Sequence, residues 1–319
     1  MSTLNARWNA SAIALLAALL TACGGGEKDS ASNSAVTPVT PASPATTTPE
    51  PGAPTLTGNT ATDGVNWFNY RRQQAGLTAL ARNSLIDTAA LGHSSYMRAN
   101  NVIAHEQTAG KTGFTGANLL ARLTAARYTL TGSYAIGEVI SAAGQTSGFY
   151  HAEELIGAIY HRFVIMEPVF REIGTGVATG STYTYFTADF ATNNGRGAGV
   201  ARGSVATYPA TGQTRVPLNF FSDTESPDPV PNQNEVGYPI SVHANLGQNL
   251  LVNSFTVRPR GGADLAVRPL AHGGDSETPE SAAAIIPLTV LKTNTIYDVS
   301  FVGTVDGVAV ARNWSFTTK

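Results

Sequence analysis

An α+β domain followed by an all-β sandwich is the fold this sequence predicts, and three observations carry the prediction. Apolar residues recur at helical spacing from Asn59 to about Arg127. Strand-like segments bounded by glycines then interleave with one more helical stripe as far as Asn194. Beyond Glu235 only short alternating segments remain, rich in β-branched and aromatic residues. Helices first and strands interleaved later suit one layered domain, whereas strands alone suit two packed sheets.

The chain opens MSTLNARWNASAIALLAALLTACGGG. Arg7 gives a positive start, and the apolar run Ala12 to Leu20 is too short for a permanent membrane span. Leu20-Thr21-Ala22-Cys23 has the small-residue pattern of a bacterial lipoprotein cleavage site, so residues 1–22 read as a signal peptide. Cys23 is the single cysteine and cannot form an intrachain disulfide. As a lipidated residue it would tie the chain to a membrane, with Gly24 after it favouring the outer membrane. Residues 23–58 are dominated by Gly, Ser, Thr, Ala and Pro and read as a disordered tether. A net charge of −2 with 13% charged residues leaves no basic patch, which excludes nucleic acid as a partner.

The first helix is expected over "NTATDGVNWFNYRRQQAGL", where Val65, Phe68 and Arg72 with Trp67 and Tyr70 make it amphipathic and Gly76 stops it. The second, "NSLIDTAALGHSSYMRANN", has Asn83 or Ser84 as its cap and Leu85, Ala89, His93 and Met97 as its inner stripe. A short helix follows in "GANLLARLTAARY". "YAIGEVISA" reads as a strand. "YHAEELIGAIYHRFVIM" reads as a single helix closed by Pro168. "EIGTGVA" and "TYTYFTADFA" then make a hairpin turned at Thr179-Gly180-Ser181. This domain spans 59–194. Residues 195–234 are turn-rich and proline-rich and read as a connector. Strands are expected in "ISVHAN", "LLVNSFTVRP", "AAIIPLTV", "IYDVSFVGTVDG" and "ARNWSFTTK", which make 235–319 an immunoglobulin-like sandwich.

Five motifs in order bear a resemblance to the CAP superfamily of cysteine-rich secretory, venom-antigen and pathogenesis-related proteins and their bacterial SCP-like relatives. "FNYRRQQAGLTAL" resembles the family's opening helix and turn, and "HSSYMRANNVIAHEQTAGKTGF" its helix ending in a histidine loop. "GEVI" stands where the family has Gly-Glu-Asn-Ile or Gly-Glu-Asn-Leu. "YHRFVIMEPVFREIGTGVA" is similar to the bacterial His-Arg segment and following strand, and "TYFTADFA" to the closing strand. The resemblance implies an α-β-α sandwich with a shared cleft lined by two histidines and one or two glutamates. It places His105, Glu138 and His161 there, with Glu154 as the fourth residue and Glu153 as its lesser alternative, two helical turns ahead of His161. Some members hold a divalent metal in this cleft. Two imidazoles suit Zn²⁺, nearby carboxylates can orient them or a bound water, and such a water is a potential nucleophile. Val139 stands in place of the family's asparagine. The ending "NTIYDVSFVGTVDGVAVARNWSFTTK" resembles bacterial Ig-like domains, with Leu291, Tyr297, Val299, Trp314 and Phe316 on the pattern.

Three readings of the cleft stay open. It binds a small apolar molecule, a lipid or a glycan; it is a hydrolase site using His105, Glu138 and His161; or it is a buried polar network that serves the fold. His93 reads as a hydrogen-bonded core histidine, and His151 lies near a helix cap. Arg162 is expected to face away and pair with Glu172. Ser94 and Ser95 lack a nucleophile-elbow motif. His243 and His272 are expected at the surface.

Overall fold

The structure, a computed structural model, describes residues 50–319. The expected signal peptide, the expected lipidation site Cys23 and the expected tether as far as residue 49 lie outside the described residues. The first unit contains α1 (Thr60–Gln74), β1 (Ala81–Arg82), α2 (Ser84–Asn100), α3 (Leu119–Ala125), β2 (Ala135–Ala143), α4 (Gly148–Gly157), α5 (Ile159–Ile165), β3 (Glu172–Thr179) and β4 (Thr184–Thr192). Asn59, Asn83 and Asn118 cap α1, α2 and α3, each accepting a main-chain N–H of the first turn through its side chain. Gly76 ends α1 at φ 76°, in the left-handed region that glycine enters at no steric cost.

The four strands order as β1-β3-β4-β2, and helices cover both faces. On one face α2 lies against β3 so closely that a Cβ on Gly174 or Gly176 would come within 2.2 Å or 2.0 Å of α2 backbone atoms. The two glycines of "EIGTGVA" set this helix-to-sheet distance. On the other face Thr175 Oγ1 donates to Ala61 O of α1, and Gly137 faces Val164 of α5. The α-β-α sandwich implied by the resemblance is therefore present. The inner stripe of α2 differs by one position, because Ile86 is buried and Leu85 is exposed.

Residues 50–58 are not tether. Glu50 accepts from Arg71 Nη1 at 2.6 Å and from the Tyr70 hydroxyl at 3.1 Å, and Thr57 donates to Asp63 through both its N–H and its hydroxyl. Small polar composition made the stretch look unable to hold itself. It is instead held by polar bonds to α1.

The second unit is all-β: β5 (Ala206–Tyr208), β6 (Asn219–Phe221), β7 (Glu235–Gly237), β8 (Ile240–His243), β9 (Leu250–Pro259), β10 (Val267–Ala271), β11 (Ala282–Pro287), β12 (Ile296–Val305) and β13 (Val308–Thr317). It contains a sheet ordered β10-β11-β8-β5, a sheet ordered β13-β12-β9 and a separate short β6-β7 pair. Asp306 and Gly307 of "TVDG", both at positive φ, make the tight turn between β12 and β13. The segment 195–234 is more than a connector, since its β5 pairs with β8 and its β6 with β7. Nor are the units independent. One buried cluster includes Leu155, Ile156 and Met166 with Tyr208, Tyr238 and Ile240, and a second packs Ile159, Tyr160 and Phe163 against Phe220, Val236 and Ile286.

Candidate functional site

Glu138 lies on β2 facing α2 and α3. Its Oε1 accepts from His105 Nδ1 at 2.9 Å, and its Oε2 from Arg122 Nη2 at 2.6 Å. Burial opposes the charge on Glu138, yet the His105 bond and the Arg122 guanidinium win, and its pKa falls to about 2. Arg122 also donates to His105 O at 2.8 Å, so one side chain fixes both the carboxylate and the loop that carries the imidazole. Asp189 sits opposite Glu138 in the β2–β4 register, fully buried, and the neighbour its carboxyl group can bond to is Glu138. Burial and the Glu138 charge raise Asp189 well above the usual carboxylate range, so of these two acids Asp189 is the one that takes up a proton first. His93 stands 3.9 Å from Glu138, but its Nε2–H donates to Ala104 O and its Nδ1 accepts from Gln107. Burial, with Arg122 adding to it, lowers His93 to about 4, so it is neutral.

The other two expected residues are elsewhere. Glu154 of α4 accepts from Ser141 at 3.3 Å and from the Tyr150 hydroxyl at 3.2 Å, and burial raises its pKa. His151 Nδ1 shares a hydrogen bond with Ser141 Oγ, and its Nε2 bonds to Gln145 O, both at 2.9 Å. His161 Nδ1 bonds to Glu225 Oε1 at 2.9 Å. The lesser candidate, Glu153, is bound by Arg71 Nε at 2.9 Å and Trp67 Nε1 at 2.5 Å.

Two pieces of geometry divide the expected quartet. Side chains alternate across a strand, so Glu138 and Ser141 of β2 face opposite sides of the sheet. Glu138 looks toward α2 and α3, while Ser141 faces α4, which carries its partner Glu154. The anticipated single helix is also broken at Ala158, whose extended backbone (φ −72°, ψ 119°) separates α4 from α5. Spacing by two turns therefore no longer puts Glu154 and His161 on one face. His161 stays close enough to favour the charged form of Glu154 without bonding to it.

Instead, four consecutive residues of α5 reach the second unit. The Tyr160 hydroxyl donates to Asp275 at 3.3 Å. Glu225, 3% exposed, accepts the N–H groups of Ile159, Tyr160 and His161 as well as the His161 ring. Arg162 is fully buried and does not pair with Glu172, which is bonded by Asn83 and Tyr128. Its guanidinium donates to Ile156 O and Pro239 O, both at 2.6 Å, and lies 4.9 Å and 4.8 Å from the rings of Tyr208 and Tyr238. Phe163 meets the ring of His243 edge-on at 5.9 Å. "YHRF" is a seam.

These residues do not fit a divalent cation. Among the described residues no group of three or more His, Cys, Asp or Glu is placed to hold one. The sheet keeps the His105–Glu138 pair from Glu154 and His161, and Arg122 already neutralises Glu138.

His243 is buried, not at the surface as expected, and shares a hydrogen bond with Ser241 Oγ at 2.9 Å. Burial, assisted by Arg162 and Arg72, pushes it down to about 3 from an ordinary 6.5. The unfolded chain thus binds a proton that the folded chain refuses, and stability is lost as pH falls below the unfolded value. Between about pH 7.5 and about pH 5 the parent protein should lose about 2 kcal/mol more than His243→Gln, read from urea midpoints at each pH. Equal losses would show that His243 is not held neutral.

Arg122, Asp189 and Glu225 were not among the candidates. Asp189 carries a readable signal, a carboxylate within a strand that is buried on both faces. Glu225 carries none, because "SDTESPDP" has neither periodicity nor a motif.

Residues 65–190 match the model of the CAP family, described as the cysteine-rich secretory protein family. Among solved structures, an extracellular protein containing an SCP domain from Bacillus anthracis strain Ames is 22% identical, with a TM-score of 0.34. That match covers 42% of this chain and 40% of the Bacillus chain. An outer surface protein of Borrelia burgdorferi is 12% identical over 41% of this chain and 90% of its own, with a TM-score of 0.34. A cysteine-rich secretory protein of Staphylococcus aureus is 15% identical over 42% and 38%, with a TM-score of 0.29. The chain thus spans well under half of the Bacillus and Staphylococcus proteins. No curated protein matches it.

Proposed function

Residues 65–190 form a CAP domain, and from that premise we propose that the protein acts outside the cytoplasm as a binding protein for a small amphipathic molecule of lipid type. The leader and Cys23 support export and a lipid anchor in the envelope, with the outer membrane as its site. One observation carries the binding reading, the state of His105. Glu138 fixes its Nδ1 as the donor, which leaves the Nε2 lone pair to accept from a ligand, and the side chain is 11% exposed. Large apolar groups flank it in sequence on the same loop: Val102, Ile103 and Phe114 are each more than a third exposed, as is Leu120 at the start of α3. An apolar body bearing a hydroxyl head suits that combination. Hydrolysis has less support, because the carboxylate that would act as base is already held by Arg122.

The test uses a fluorescent long-chain alcohol titrated into the protein. Binding in the micromolar range is expected, weakened about tenfold in Ile103→Ser through lost apolar burial. His105→Ala should weaken it as well. Absent binding, or binding in both variants as tight as in the parent protein, would overturn the reading.

A further inference from the structure

A groove that shares no lining residue with the His105 site lies beside the open edge of β3. β1 pairs only with Glu172 and Ile173, and after Asn83 N–H bonds to Ile173 O at 2.9 Å the chain turns away into α2. Main-chain groups alternate along a strand, so Ile173, Thr175 and Val177 present their N–H and C=O to the edge that faces away from β4. At Thr175 the amide is taken by a side chain, Asp87 Oδ1, at 2.8 Å. At Val177 no strand follows. There the edge opens on a cavity of about 460 Å³ lined by Asn59, Thr60, Arg82, Leu91, Gly176 and Val177, a size typical of ligand sites.

We infer that this groove binds an extended polypeptide segment, which adds to β3 as a strand where β1 leaves off. Two features select that partner. The donor and acceptor of Val177 sit on one residue of a strand edge, and an extended backbone satisfies both together. The ladder is also continuous, since β1 already pairs with this edge and the groove begins where that pairing stops. Charge does not select the partner. Arg82 is bonded to Asp87 at 2.9 Å and to Thr62 at 2.8 Å, and so brings little free charge to the groove. Leu91, 49% exposed, offers an apolar contact for a side chain of the added strand. Native sheets usually block such edges with charge, proline or a covering loop, and here Asp87 blocks one position while the next is left open.

The experiment selects random octapeptides, displayed on phage, against the whole protein and then titrates the best synthetic peptide. Val177→Pro removes only the edge-facing amide, because alternation gives the β4 ladder to Gly176 and Ala178, so the fold tolerates it. Leu91→Arg fills the groove from a helix surface and serves as an independent variant. Expected is micromolar binding that falls at least about tenfold in each variant and is abolished by N-methylation of one peptide amide. Failure to enrich any peptide over an unrelated protein, or binding unchanged by Val177→Pro and Leu91→Arg, overturns the proposal.

Discussion

A chain ending at Asn194 is expected to lose cooperative unfolding altogether. It keeps every residue of the CAP match, yet the cut strips one face from α5. Ile159, Tyr160 and Phe163 would lose Phe220, Val230, Val236, Leu270 and Ile286, and Leu155, Ile156 and Met166 would lose Tyr208, Tyr238 and Ile240. Each of these large side chains loses about 1.5–3 kcal/mol on full exposure, so exposing six costs up to about 9–18 kcal/mol, comparable with the whole 5–15 kcal/mol by which domains are stable. The cut also leaves the N–H groups of Ile159 and Tyr160 without Glu225. Urea titration followed by near-UV circular dichroism should give one sharp transition for the whole chain and a shallow drift for the shortened one. A sharp transition near the parental midpoint in the shortened chain would show that the units fold separately.

Arg162→Ala should cost about 4 kcal/mol, the largest effect expected of a single side chain here. Its removal leaves Ile156 O and Pro239 O unbonded in a buried place, at about 1–3 kcal/mol each, and ends the stacking against Tyr208 and Tyr238, worth about 2 kcal/mol when desolvated. Relief from burying a cation offsets part of the loss, because no carboxylate accompanies Arg162. Arg162→Met should cost less than alanine, since its stem fills the same volume between the rings. The readout is the urea midpoint at constant slope, and a loss under about 1 kcal/mol for alanine would contradict the assignment of Arg162 to the seam.

Much of the fold was legible because it rests on local rules. Three asparagines mark three helix starts, glycines at 174 and 176 mark the place where a helix must approach a strand, and Asp306-Gly307 marks a hairpin. The His105–Glu138 pair was legible through the family motifs. The remainder of the expected cleft was not, for a reason of geometry. A motif gives order along the chain but not the face on which a side chain emerges, and a single extended residue, Ala158, rotates everything after it.

The sequence by itself determined the first three helices, the hairpins and the order of a helix-bearing region followed by an all-β one, because capping, periodicity and composition act over a few residues. Only the tertiary structure decided what the polar residues of "YHRF" do. Tyr160, His161 and Arg162 take partners at Asp275, Glu225 and Pro239, remote in sequence and unmarked by any motif. A buried polar group must find a partner, but nothing local says which one, so the choice falls to whichever surface packing brings against it.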